Sequence, residues 1–396
     1  MCYLDNAGTT RPTKDSLTTI YNSLYEDWFN PSSVSDNSKR VKNKIEKARQ
    51  QVAEFIGAAA EEVYFTSSGS ESNTWAIQGY SSHNDDMMTL LTSTVEHSSI
   101  RNLSQHLLKQ NLINVRYVVV NENGAVDLST LKAMMYQINK DDPEDRPLVS
   151  IMFANNETGV VNDVKKIASI VHRHHGVFHT DATQAIAHVP ISVHDMGIDM
   201  MTFSGHKLGL PRGIGVLYVR HGIKIDPLIF GGSQENGLRG GTENQAYIIA
   251  LGESCRYLKD HYQTRVTIEE KMKALFVQNL KDALGDMVSF HGSRCDTEIK
   301  PAKLPNIVSV CFKGIDAQAL MSLLESYGIY CSAGSACEAY KKAPSQVLLA
   351  MDVSEEDALS TLRFSFSADD IIGYEGITYV VNTIVKCIKS LQTLND

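Results

Sequence analysis

Short apolar runs, rich in β-branched and aromatic residues, recur at 63–66, 88–92, 115–120, 148–153, 177–180, 200–204 and 215–219. Runs of this length alternating with helical patterns predict one large, mostly parallel α/β sheet. Their near-continuous apolar character is what strands covered on both faces require. Beyond about residue 250 the pattern changes. A charged helical stretch over 269–284, a strand over 306–312, a helix over 317–327 and a final helix from Gly376 predict a smaller α+β unit. The expected division is an N-terminal segment 1–14 packing on the small domain, a large domain 15–255 and a small C-terminal domain 256–396. No repeat or low-complexity linker separates them, so the domains are expected to share an interface.

The length of 396 residues agrees with two domains, since single cores stop growing near this size. A net charge of -9 argues against nucleic-acid binding, and the basic stretch 39–49 reads as the solvated face of a helix. Seven cysteines form an odd set with no CxxC pair, so neither a disulfide framework nor a zinc site is expected. The first residues lack a basic segment followed by an apolar one, and no run of 18 apolar residues occurs, which points to the cytoplasm. His172, His174, His175 and His179 invite a metal reading. Only Asp181 stands near enough in sequence to complete a shell, and it has a better use.

Ligands of open α/β sheets bind beyond the carboxyl ends of the strands. Polar residues cluster where these strands stop. Ser204-Gly205-His206-Lys207 follows one strand, and a lysine there can form a Schiff base if a neighbouring cation or apolar wall supplies its free amine. Asp181 ends the preceding strand. A carboxylate and a lysine on adjacent strand ends can bracket a pyridine ring, the carboxylate holding its nitrogen protonated, although Asp before Ala-Thr-Gln is also good helix-capping chemistry. The turn Thr66-Ser67-Ser68-Gly69-Ser70-Glu71-Ser72 leads a strand into a helix, where free N–H groups suit a phosphate and a capping box would look the same. Glu96-His97 offers an imidazole that can stack on a flat ring or move a proton.

These motifs, with Leu4-Asp5-Asn6-Ala7-Gly8-Thr9-Thr10, Asn30-Pro31, Asn155-Asn156-Glu157-Thr158-Gly159, Gly237-Leu238-Arg239-Gly240-Gly241-Thr242 and Ser335-Ala336-Cys337, stand in the order found in cysteine desulfurases. The chain resembles that family, the NifS-like and IscS-like branch of the class V aminotransferases, over nearly its whole length. The resemblance implies the aspartate aminotransferase fold (fold type I), with a seven-stranded mostly parallel sheet, and pyridoxal 5'-phosphate as cofactor. It implies that Lys207 carries the cofactor, Asp181 pairs with the pyridine nitrogen, Gln184 meets the ring hydroxyl and His97 stacks on the ring and takes part in catalysis. Gly69, Ser70, Ser204 and His206 would hold the phosphate, with Thr242 reaching it from the partner of a homodimer. Asn156 and Arg363 would grip the carboxylate of L-cysteine, for which the arginine fork is apt.

By the same resemblance, sulfur passes to Cys337 as a persulfide and on to an acceptor protein serving iron-sulfur cluster assembly, tRNA thiolation or DNA phosphorothioation. Cys331, beside Ile329 and Tyr330, reads instead as a small hydrophobe. Asp36 stands where histidine is common, Ser68 where glycine is usual, and Leu210 where a Gly-Pro pair is typical. Glu338 beside Cys337 opposes the thiolate and is unexplained. The end at Asp396, without a longer tail, predicts a dedicated pathway. Selenocysteine lyase, another class V aminotransferase and a non-catalytic sulfur carrier stay open as alternatives.

Overall fold

The computed structural model describes residues 1–84, 87–292, 302–334 and 343–393. Twelve strands occur among them: β1 (Cys2–Tyr3), β2 (Val63–Thr66), β3 (Thr89–Ser93), β4 (Asn114–Val118), β5 (Leu148–Ser150), β6 (Val177–Asp181), β7 (Met200–Ser204), β8 (Gly215–Val219), β9 (Val288–His291), β10 (Ile307–Phe312), β11 (Ile329–Tyr330) and β12 (Thr361–Ser365). Seven of these form one sheet in the order β2-β8-β7-β6-β5-β3-β4. Only β8 runs against the others, pairing antiparallel with both β2 and β7. The seven strands are those expected from the apolar runs, shifted by a few residues at their ends. β3, β5, β6, β7 and β8 are buried at every position, as a sheet covered on both faces requires.

A second sheet, β12-β10-β9, is antiparallel, and β1 pairs in parallel with β11. The first five residues therefore return to the C-terminal part of the chain. Leu4 is buried in that second core with Phe276, Phe364 and Phe366.

The helix expected over 269–284 is the last part of a forty-residue helix, Gln245–Leu284. Its first half buries Ala246, Ile248, Leu251 and Cys255 in the core of the large sheet, and its second half buries Met272, Phe276 and Leu280 in the second core. Gly252 hides the first half from sequence reasoning, because glycine in a helix interior costs roughly 1 kcal/mol against alanine. Tertiary packing explains it: a Cβ there would stand 2.6 Å from Ala48 Cα on the helix Asp36–Ile56. The basic stretch 39–49 lies on that helix, where Lys44 pairs with Asp27 at 2.6 Å and Arg49 with Glu235 at 2.8 Å. Among the described residues, no helix is long and apolar enough to cross a membrane.

Candidate active site

Because β2, β3, β5, β6 and β7 all point the same way, the polar residues after them meet at one edge of the sheet. There they line a cavity of about 320 Å³. β2 runs through Ser67 into the helix Gly69–His83, whose N-cap Ser68 accepts from Glu71 N–H. Gly69 packs tightly, its absent Cβ leaving 3.3 Å to Thr183 Oγ1 and 3.6 Å to Ser204 Cβ. After β5, the Asn155 side chain accepts from the N–H groups of Glu157 and Thr158 at 2.9 Å each, building the turn that presents Asn156. After β7, a single 3₁₀ turn, Gly205–Lys207, carries Lys207 into the cavity.

Ten residues singled out from the sequence line this one cavity: Gly69, Ser70, His97, Asn156, Asp181, Gln184, Ser204, His206, Lys207 and Arg363. Thr242 is exposed and is not among the lining residues of its own chain. Cys337, with Glu338, lies outside the described residues. The chain on either side of it is anchored at the site: Ser332 exchanges two backbone hydrogen bonds with Arg363, at 3.1 and 2.7 Å, and Ser345 Oγ donates to Glu157 Oε2 at 2.5 Å. Cys331 is part-buried against the second core, and burial pushes its thiol pKa upward. His172 and His179 are engaged by Asp199 and by Ser150 and Thr202.

The N-terminal turn holds the functional side chains together. Lys207 Nζ donates to the carbonyls of Ala7 and Gly8 at 2.5 and 2.6 Å, and Gln184 Nε2 donates to Ala7 O at 2.9 Å. Arg363, 2% exposed on β12, donates to Asn156 O at 2.8 Å and to Asp5 Oδ1 at 2.6 Å. Its Nε is buried with no hydrogen-bond partner among the described residues. Asp181 ends β6 with each carboxylate oxygen accepting one hydrogen bond, Oδ1 from Thr183 N–H at 2.9 Å and Oδ2 from Asn73 Nδ2 at 2.7 Å. Burial lowers the pKa of His97, and burial followed by Lys207 and Arg212 drives His206 down to about 3. Both imidazoles are therefore neutral near pH 7. Burial also raises buried Glu96 to about 8, against the hydrogen bonds it accepts from Ser93 Oγ and Met152 N–H.

Sequence reasoning missed Asp5, Asn73, Ser99 and Arg212. Asn73 stands four residues after Gly69, so the helical period alone would have placed both on one face. Arg212 precedes β8, the one reversed strand, whose amino end lies at the site edge because Gly215 pairs with both Thr66 and Ser204. A rule that looks only beyond carboxyl ends passes over it.

A sequence profile of the aminotransferase class-V family matches residues 2–370. The chain belongs to that family. Within it, the cysteine desulfurase IscS of Methanosarcina thermophila is 36% identical over 399 aligned residues, covering 99% of this chain and 94% of its own. A cysteine desulfurase of Nostoc sp. is 35% identical over 364 residues, covering 92% and 87%. Among solved structures, a NifS-like protein superposes with a TM-score of 0.87 at 30% identity, covering 98% of this chain and 100% of its own. The structure titled SspA in complex with cysteine gives 0.76 at 30% identity, covering 93% and 99%. The resemblance read from the motifs, and the seven-stranded class-V fold it implied, hold over nearly the full length.

The donor set of this class-V site suits pyridoxal phosphate. Gly69 and Ser70 stand at the start of a 15-residue helix, where free N–H groups and the positive dipole end favour a phosphate. Asp181 and Lys207 come from adjacent strand ends. Met152 and Ala154 add apolar wall, and the unpartnered Arg363 Nε offers a donor to a carboxylate.

Proposed function

We propose that the protein is a cysteine desulfurase: it converts L-cysteine to L-alanine and transfers the sulfur to Cys337 as a persulfide, with pyridoxal phosphate held on Lys207. The observation that carries this reading is the meeting of Asp181, Lys207 and Arg363 in one cavity, reached from the end of β6, from the turn after the next strand β7, and from β12 far along the chain. The bound cofactor would supply an electron sink for charge developing at the substrate α-carbon.

The protein's part is binding, orientation and proton movement. Gly69, Ser70, Ser204 and His206 hold the phosphate, Gln184 the ring hydroxyl, and His97 covers the ring. Asp181 keeps the ring nitrogen protonated by placing a negative charge beside it. Asn156 and Arg363 orient the substrate carboxylate. Lys207 takes the α-proton. The thiolate of Cys337 then forms an S–S bond with the substrate sulfur as the Cβ–S bond breaks, Cβ keeps the bonding electrons and takes a proton, and Lys207 returns a proton to Cα. Products and reactants balance without an added oxidant. The persulfide passes to an acceptor protein, and relatives named IscS support a role in sulfur supply.

The working unit in this reading is a homodimer. Leu17, Tyr21, Leu24 and Tyr25 form an exposed apolar stripe on the helix Lys14–Glu26, Trp28 is exposed just beyond its end, and Thr242 is exposed and free to enter a partner's phosphate site. The test is a single turnover with L-cysteine. One alanine per added sulfur is expected, with mass spectrometry finding that sulfur on the Cys337 peptide. Alanine without a protein persulfide, or faster turnover of selenocysteine with no persulfide, would overturn the assignment.

A further inference from the structure

Asn73 is 1% exposed on the helix Gly69–His83, and its Nδ2 lies 2.7 Å from Asp181 Oδ2 and 2.9 Å from Ser99 Oγ. Ser99 Oγ is in turn 2.9 Å from His97 Nδ1, and the Ser99 backbone N–H donates to the same nitrogen at 3.2 Å. Four side chains from three segments thus form one chain of polar contacts along the cavity wall.

The direction of every hydrogen in this chain follows from its two ends. A carboxylate only accepts, so the Asn73 amide must turn its NH₂ toward Asp181, since the opposite flip would set two oxygens 2.7 Å apart. The amide's two hydrogens are then committed, one to Asp181 and one to Ser99. Ser99 Oγ accepts from Asn73, which leaves its single hydrogen for His97 Nδ1. That nitrogen already faces a backbone N–H. Two donors on one ring nitrogen leave no room for a proton, so the imidazole hydrogen sits on Nε2. Asn73 Oδ1 has no partner among the described residues, as expected if the amide orientation is chosen for its donors.

We propose that Asn73 is a positioning residue: one amide holds Asp181 and, through Ser99, fixes His97 as the Nε2–H tautomer. Burial, with Lys207 and Arg101, disfavours the imidazolium, while Asp181 acts in the opposite sense. The consequence for catalysis rests on the desulfurase reading. His97 presents a hydrogen-bond donor to the cavity, and cannot accept a proton at Nε2 while the Ser99 hydroxyl and backbone N–H both donate to Nδ1.

The test uses holoenzyme labelled with ¹⁵N-histidine, with the His97→Gln spectrum identifying the His97 signals among the 13 histidines. Wild-type protein is expected to show a pyridine-like Nδ1 and a pyrrole-like Nε2. Ser99→Ala, which leaves only the backbone N–H on Nδ1, and Asn73→Ala, which frees the Ser99 hydroxyl to rotate, should each move both signals part of the way toward the averaged values of a tautomer mixture, and Ser99→Thr, which keeps the hydroxyl, should not. In Ser99→Ala, kcat for alanine should fall about tenfold with KM for cysteine unchanged, the worth of one hydrogen bond. A pyrrole-like Nδ1 in the wild type, or an unmoved tautomer in Ser99→Ala, overturns the proposal, and the serine pair decides it if Asn73→Ala does not fold. Failure of the desulfurase reading is a separate result, seen as no alanine from wild-type enzyme whatever the tautomer.

Discussion

Replacing Arg363 by lysine separates charge from geometry at the point where the substrate carboxylate is expected. The guanidinium is 2% exposed, with one hydrogen bond to Asn156 O, one to Asp5 Oδ1 and an unpartnered Nε. Lysine keeps the positive charge beside Asp5, whose carboxylate is part-buried. What it loses is the fork that serves Asp5 and a substrate carboxylate at the same time. A hydrogen bond to a charged group is worth about 1.5–3 kcal/mol, and each 1.4 kcal/mol is a factor of ten, so kcat/KM for cysteine should fall about ten- to hundredfold. The loss should appear as a raised KM with kcat little changed, because the carboxylate is held equally before and during reaction. Alanine formation measured across cysteine concentrations reads this directly, with the thermal midpoint as a control for folding. A normally folded Arg363→Lys enzyme with KM within about twofold of wild type would refute the assigned grip.

The purified protein should be yellow, and Lys207→Ala should lose both the cofactor linkage trapped by borohydride and alanine formation; trapping in the variant would remove Lys207 from its role. Cys337→Ser should bind cofactor and cysteine yet yield no protein persulfide, whereas Cys331→Ser should stay largely active, as peptide mass spectrometry after one turnover will show. Burial lifts Glu96 from 4.5 to about 8, so the folded chain binds one more proton than the unfolded chain between those values. That contribution is complete below about pH 4.5 and is lost as pH rises through about 8. Glu96→Gln should therefore gain on wild type by up to ~1.4 kcal/mol per pH unit across that window, and urea unfolding that shows a pH-independent difference would refute the shift.

Strand positions were legible in the sequence because burial on both faces leaves an unbroken apolar run, and β7 and β8 begin and end where the pattern placed them. Asp181, Lys207, His97 and the Ser68–Ser70 turn were legible for a related reason: parallel strands bring their carboxyl ends to one edge, so the residue after each run is a candidate wherever the run falls. What the sequence could not supply was any relation that depends on strand direction or on contacts across hundreds of residues. The reversal of β8 alone put Arg212 at the site. Pairing of β1 with β11 brought Asp5 to Arg363 and the Ala7 and Gly8 carbonyls to Lys207. The register of neighbouring elements set Asn73 between Asp181 and Ser99, and a shift of one residue would have pointed its amide away. Local pattern thus determined which residues are offered to the site, because side-chain period and burial are properties of short segments. Only packing decided which of them touch, because hydrogen bonds of 2.6–2.9 Å are fixed by the whole fold.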